Sequence, residues 1–259
     1  MNSYQADLHI HTVLSPCGDL GMGAPEIVER AKEAKLSAIA VTDHNAVLNY
    51  PAVAEAASKL APEILVIPGT EVQTVEDIHV LGLFPDYSAA LSFQEWLQCG
   101  LGGIKNDPDI FGYQLVIDSS NSILDEFERL LIQGVKYSID EVIEKIREHG
   151  GISILAHVDR PSFSYISVLG PIPDDLEVDA LEISGNVDRV SEEKFCRKYP
   201  ERIFTRSSDA HFLKDIKNQN STELLLAEMS FKELAMVFDT SEKFRKVTSP
   251  CESRNLQKE

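Results

Sequence analysis

What most constrains this chain is a recurring order: a short apolar run ends in a histidine or an acid, a helical pattern follows, and the order returns. The runs are Ala6 to Ile10, Ala38 to Val41, Ile64 to Ile67, His79 to Phe84, Ile152 to Ala156, Ala180 to Ile183 and Ile203 to Thr205. Helical patterns lie between or after them over Pro25 to Ala34, Pro51 to Leu60, Leu91 to Leu97, Ile139 to His149 and Phe231 to Phe238. Runs of this length alternating with helices predict parallel βα units in one α/β domain. No apolar stretch approaches the roughly 20 residues of a membrane span. MNSYQADLHIHTVLS has neither a basic nor an apolar leader segment, so a cytoplasmic location and no membrane partner are expected.

The ends of the runs carry the chemistry. Asp7, His9 and His11 mark the first, Thr42-Asp43-His44 the second and Gly69-Thr70-Glu71 the third. His79 lies in the fourth, His157 ends the fifth, Glu182 lies in the sixth, and Ser208-Asp209-Ala210-His211 follows the seventh; six of the seven histidines are accounted for. In a barrel of parallel strands the carboxyl ends converge on one rim. His9 and His11 are two apart, so a strand points both imidazoles to one side, where they can grip one ion. Imidazoles and carboxylates without paired thiolates suit Zn, Mn or Fe, and there are enough donors for two or three divalent ions. Without cations, so many acids in one place would repel one another.

The motifs Asp7-Leu8-His9-Ile10-His11-Thr12, Thr42-Asp43-His44-Asn45, Gly69-Thr70-Glu71-Val72, Ile78-His79-Val80-Leu81-Gly82, Leu155-Ala156-His157 and Ser208-Asp209-Ala210-His211 resemble, in order and spacing, those of the polymerase and histidinol phosphatase (PHP) phosphoesterases. The resemblance covers roughly residues 5 to 240. It implies a distorted (β/α)7 TIM-like barrel with a trinuclear site at the carboxyl-end face. By motif, a first ion would take His9, His11, Glu71 and Asp209, and a second the bridging Glu71 with His79 and His157. A third would take His44 and His211 with a loop donor. There the chain departs from the family's usual Asp or His, offering Cys17 or Asp19 in Ser15-Pro16-Cys17-Gly18-Asp19; an inert thiol is an equal account of Cys17.

Around these, Arg160 in His157-Val158-Asp159-Arg160-Pro161 is the best phosphate clamp, because a guanidinium fork matches phosphate oxygens. Arg206 is a weaker candidate. Asp43 is expected to serve catalysis by accepting the second N–H of an imidazole, with Asp7 deeper in the barrel and Glu182 either supporting a ligand or closing a hydrogen-bond network. His149, before Gly150-Gly151, reads as a helix end. Residues 85–121 are irregular and predict an insertion or lid over the active face; 241–259 predicts a polar tail after a single barrel domain over 1–240. The four cysteines are far apart and expected to be free thiols.

A net charge of −18 disfavours long nucleic acid, so the expected partner is a small phosphorylated substrate, such as histidinol phosphate or a nucleotide, or a short oligonucleotide. The expected reaction is attack on phosphorus by a hydroxide bridging the first two ions. A chain of this length also leaves no room for polymerase domains. Two other readings stand beside it. Amidohydrolase barrels also begin with a strand-borne HxH but usually bridge their metals with a carbamylated lysine, where this chain has Glu71; a non-catalytic metal-binding regulatory module would keep the site without turnover.

Overall fold

The computed structural model describes residues 1–239, so the tail expected over 241–259 lies outside the described residues. In chain order the elements are β1 (Asn2–Ile10), α1 (Ala24–Glu33), β2 (Ala38–Val41), α2 (Tyr50–Leu60), β3 (Leu65–Gln73), β4 (His79–Leu83), α3 (Tyr87–Gly100), α4 (Pro108–Phe111), β5 (Leu115–Ile117), β6 (Ile123–Glu126), α5 (Ile139–Glu148), β7 (Ile152–Leu155), α6 (Tyr165–Val168), β8 (Ala180–Ser184), α7 (Arg189–Lys198), β9 (Phe204–Ser207), β10 (Thr222–Leu226) and α8 (Phe231–Phe238). Eight strands form one sheet in the order β10-β1-β2-β3-β4-β7-β8-β9. The sheet curls until Ile10, ending β1, bridges Ala210 just beyond β9, and the His11 N–H donates to the Ala210 carbonyl at 3.0 Å. The result is the expected distorted, nearly closed barrel.

Two departures from a purely parallel barrel matter. Strand β4 runs antiparallel to both β3 and β7, so His79 stands at its amino end. Reversing that strand brings the amino end to the rim that holds the carboxyl ends of its neighbours. Strand β10 pairs antiparallel with the first half of β1 and was not anticipated. Nor was the β5–β6 hairpin, which straddles the end of the insertion expected over 85–121. Helix α7 escaped notice because, apart from Glu192, none of its residues is fully buried, which leaves no strong apolar stripe to read.

The helix α5 shows how local sequence fixes position. Ser138 and Glu141 form a reciprocal capping box, Ile139, Val142, Ile143 and Ile146 form one buried stripe, and Gly150 ends the run at φ +68°. That stripe packs with Phe93 and Leu97 of α3 against Val80 and Leu155 of the sheet. A second apolar layer joins Ile27, Val28, Val53 and Ala57 to Ile39, Val41 and Val66, and a third gathers Leu8, Ala38, Ile67, Leu81 and Ile154 with Leu234 and Phe238 of α8. Removing a buried side chain such as Ile146 from such a layer costs about 2–5 kcal/mol.

The inserted hairpin docks on the loop after β1. The Leu115 N–H donates to Val13 O at 3.0 Å, and Gly112, at φ +98°, leaves so little room that a Cβ would stand 2.1 Å from the Pro16 carbonyl. Cys17 and Cys99 carry free thiols, whereas Cys196 is disulfide-bonded, which corrects the expectation of four free thiols. Among the described residues no helix is long and apolar enough to cross a membrane.

Candidate metal centre

The histidines at the strand ends meet at one rim. His9 Nε2 lies 3.1 Å from His11 Nε2, 3.2 Å from Asp209 Oδ1 and 3.3 Å from Glu71 Oε1. His11 Nε2 lies 3.0 Å from Asp209 Oδ1 and 3.4 Å from Glu71 Oε2. On their outer sides, His9 Nδ1 meets Glu182 Oε1 at 3.0 Å and His11 Nδ1 meets Ser15 Oγ at 2.9 Å. A carboxylate can only accept, and the Ser15 hydroxyl donates to Asp43 at 2.7 Å, so both Nδ1 atoms are the donors. In the neutral rings both Nε2 lone pairs then face each other and two carboxylates. That arrangement repels itself unless a cation or protons stand between them, and edges of about 3.0–3.4 Å suit donors bound at about 2.0–2.2 Å to one ion. The residues fit a divalent metal.

Glu71 extends the cluster. Its Oε1 lies 2.8 Å from His79 Nδ1 and 3.2 Å from His157 Nε2, and its Oε2 lies 3.0 Å from His44 Nδ1. His44, Glu71 and His79 form one potential ligand group, while His11, His44 and His211 form another. His44 thus stands between the groups expected for the second and third ions, and His157 joins through Glu71. The thiol of Cys17 is 3.1 Å from His211 Nε2, whereas the Asp19 carboxylate is taken by the Gly21 N–H at 2.8 Å. Of the two loop donors, only Cys17 faces the histidines.

Burial opposes ionisation of Glu71, but the charges of His79, His9 and His44 outweigh it and hold its carboxyl well below the usual range. Asp209 is depressed likewise, the opposition of burial being overcome by His9 and His11. Burial lowers the His11 and His44 imidazoles, yet the carboxylates win and raise both to about 9, Asp209 and Glu71 at His11 and Glu71 at His44. His211 goes the other way, to about 3, through burial and the charge of His11.

Arg160 places one nitrogen on Asp209 Oδ2 and its Nε 3.2 Å from Ser184 Oγ. Asp209 therefore divides its oxygens between the histidine pair and the guanidinium. Arg206 turns away, to Glu192 at 2.8 Å and the Gly185 carbonyl. His149 is bound to the Lys145 carbonyl at its helix end. Asp43 touches no imidazole directly: it accepts from Thr12 N, Thr12 Oγ1 and Ser15 Oγ, each at 2.7 Å, and reaches His11 through Ser15. Asp7 accepts from the Ser208 N–H, and burial raises it to about 7.

Sequence reasoning missed Ser15 and Phe163. The Phe163 ring stacks on His79 at 4.8 Å. Asn45, His157, Phe163 and Asp209 all have positive φ, and such strain persists where the surroundings enforce it. No local pattern announces it.

The profile of the PHP domain matches residues 7–191, most of the chain. The chain belongs to the PHP domain family. This PHP domain is 38% identical over 81 residues to the 5'-3' exoribonuclease Rnm of Salmonella typhimurium, covering 30% of this chain and 26% of that protein. It is 25% identical over 199 residues to the Escherichia coli Rnm, covering 61% and 67%. In three dimensions it resembles the lesion-specific endonuclease PfuEndoQ of Pyrococcus furiosus, with a TM-score of 0.66 and 18% identity over 92% of this chain and 56% of that one. The PHP domain thus spans only about a quarter of the Salmonella protein and about half of the endonuclease.

Proposed function

We propose that this PHP domain hydrolyses phosphate esters with bound divalent ions, its substrate a nucleotide, a short oligonucleotide or a small phosphorylated metabolite. The observation that carries the reading is the inward pair of Nε2 atoms of His9 and His11, 3.1 Å apart and closed in by Glu71 and Asp209. In this reading a first ion is held by His9, His11, Glu71 and Asp209, a second by Glu71, His79 and His157 with His44 beside them, and a third by His44, His211 and Cys17. Imidazole and carboxylate donors with one thiol suit Zn, Mn or Fe. Bound there, the ions supply charge neutralisation for phosphate oxygens and a water acidic enough to attack near neutral pH.

The chain's own groups do the rest. Glu182 and Ser15 fix the tautomers of His9 and His11 so that lone pairs face inward. Arg160 stands at the rim with a guanidinium that can exchange part of its contact with Asp209 for a phosphate oxygen and so hold the ester in line. The charge of −18 favours a short substrate over a long duplex, whose many phosphates it repels at long range. The names of the Rnm proteins and of the endonuclease favour the nucleic-acid end of the range.

The test is turnover by chelator-treated and metal-reloaded protein of phosphomonoesters, nucleotides, short oligonucleotides and amides, with bound metal measured on the same samples. Ester hydrolysis that appears only on reloading supports the proposal. Amide turnover would point to an amidohydrolase, metal without turnover to a regulatory module, and full activity in metal-free protein would overturn it.

A further inference from the structure

Phe163 borders the histidine cluster. Its ring lies parallel to the His79 imidazole, with centroids 4.8 Å apart and planes within 18°, while 43% of the residue stays exposed. The backbone there is left-handed, φ +55°, a conformation that a bulky L-residue adopts only when its surroundings impose it. The constraint is visible: the His79 N–H donates to the Phe163 carbonyl at 2.9 Å, and the Ser164 hydroxyl donates to the Arg160 carbonyl at 2.7 Å. Exposure does not single this ring out, since Phe111 and Phe212 are exposed too; its stacking on His79 over a left-handed backbone does. Here the loop after β7 spends backbone strain to hold one aromatic face on a histidine of the cluster and to leave the remainder open.

The same loop carries Arg160, whose guanidinium rests on Asp209 Oδ2. Residues 157, 160 and 163 thus offer an imidazole, a phosphate-binding fork and an exposed aromatic ring along one short segment. A phosphate held at Arg160 and the histidine cluster would sit next to the segment that carries that ring, its esterified group within reach of the aromatic face. Of the substrates in the proposed range, those with a flat ring gain from the contact and sugar phosphates do not; among the former, nucleotides offer the largest stacking face, because an aromatic face stacks on any nucleobase.

We infer that Phe163 is a specificity-determining residue that stacks the nucleobase of the ester being cleaved, so that the site takes nucleotides or oligonucleotide ends in preference to sugar phosphates. This inference rests on the phosphoesterase reading above.

Phe163→Ala and Phe163→Trp are compared with the parent protein on three ligands: a nucleoside monophosphate, a four-residue oligoribonucleotide and ribose 5-phosphate. KM is measured for each, together with equilibrium binding of a nucleoside phosphonate and a ribose phosphonate, and metal content. Loss of one stacked base predicts that Phe163→Ala weakens binding of one or both nucleotide ligands about 5- to 150-fold and ribose phosphate by no more than about twofold, with metal content unchanged and Trp restoring the loss. Which nucleotide ligand responds identifies the source of the base. Equal losses on all three ligands, no loss on any, or loss of metal from Phe163→Ala would overturn the inference; the last would make Phe163 a support for His79. If the parent turns over no phosphate ester, the phosphoesterase reading fails, while phosphonate binding still reports on Phe163.

Discussion

The two halves of the cluster are held in different ways. His9, His11 and Glu71 stand on or just beyond β1 and β3, all essentially inaccessible to solvent, and the outer nitrogens of both imidazoles are fixed by Glu182 and by the Ser15–Asp43 pair. His211 and Cys17 stand on loops; Cys17 is exposed, and the outer nitrogen of His211 meets only nearby Asp209 among the described residues, its backbone carbonyl at 3.0 Å and its carboxylate at 3.4 Å. Strands and buried carboxylates pre-orient donors before any ion arrives, whereas loop donors must be ordered by it. Ions at the strand-held end should therefore bind tightly and those at the loop-held end exchange readily.

Substitutions can break that contrast in graded steps. Glu71→Gln should have the largest effect, because Glu71 belongs to two of the three potential ligand groups and touches His44 of the third: we expect loss of most bound metal and a fall in kcat of more than roughly 100-fold, beyond what losing a supporting partner costs. Glu182→Met keeps the approximate size of the side chain but has no oxygen to accept the His9 Nδ1–H. It should weaken the tightest ion roughly 10- to 100-fold in chelator competition while the fold melts normally; unchanged affinity would mean that Glu182 does not orient His9. Cys17→Ser should affect only the weakest ion, roughly tenfold or less, with the strand-held metal retained. If it emptied the whole site, the division into halves would be wrong.

A proton measurement sharpens the same comparison with the smallest signal. In the metal-free protein His11 and His44 titrate at about 9, above their ordinary value, so at pH 7.5 both still carry protons. A metal ion binds the unprotonated ring, so loading must expel those protons together with that of His9, which, against burial, Glu182, Asp209 and Glu71 also raise, and affinity should rise with pH up to at least about 9. His211, already lowered to about 3, contributes none. Calorimetry in buffers of different ionisation enthalpy measures the release.

Much of this was legible along the chain. Runs that stop at His9, His11, Glu71, His157 and Asp209 gave both the strands and the donors, because strand periodicity and ligand chemistry are local properties. The reversal of β4 was not legible: an apolar run reads alike in either direction, and only pairing with β3 and β7 sets its sense. Nor were β10 or the Ser15 relay from Asp43 to His11, since a short edge strand and a serine in a loop have no periodic signature. Arg206, plausible by position beside the last motif, is consumed by buried Glu192.

By itself the sequence determined which residues could bind a metal and that they would fall at strand ends, because residue type and alternation are written in the chain. Tertiary structure alone decided which of them share an ion's space, that Cys17 rather than Asp19 faces His211, and that Phe163 stands open beside His79. Those are distances between segments far apart in sequence, set by the closure of the barrel.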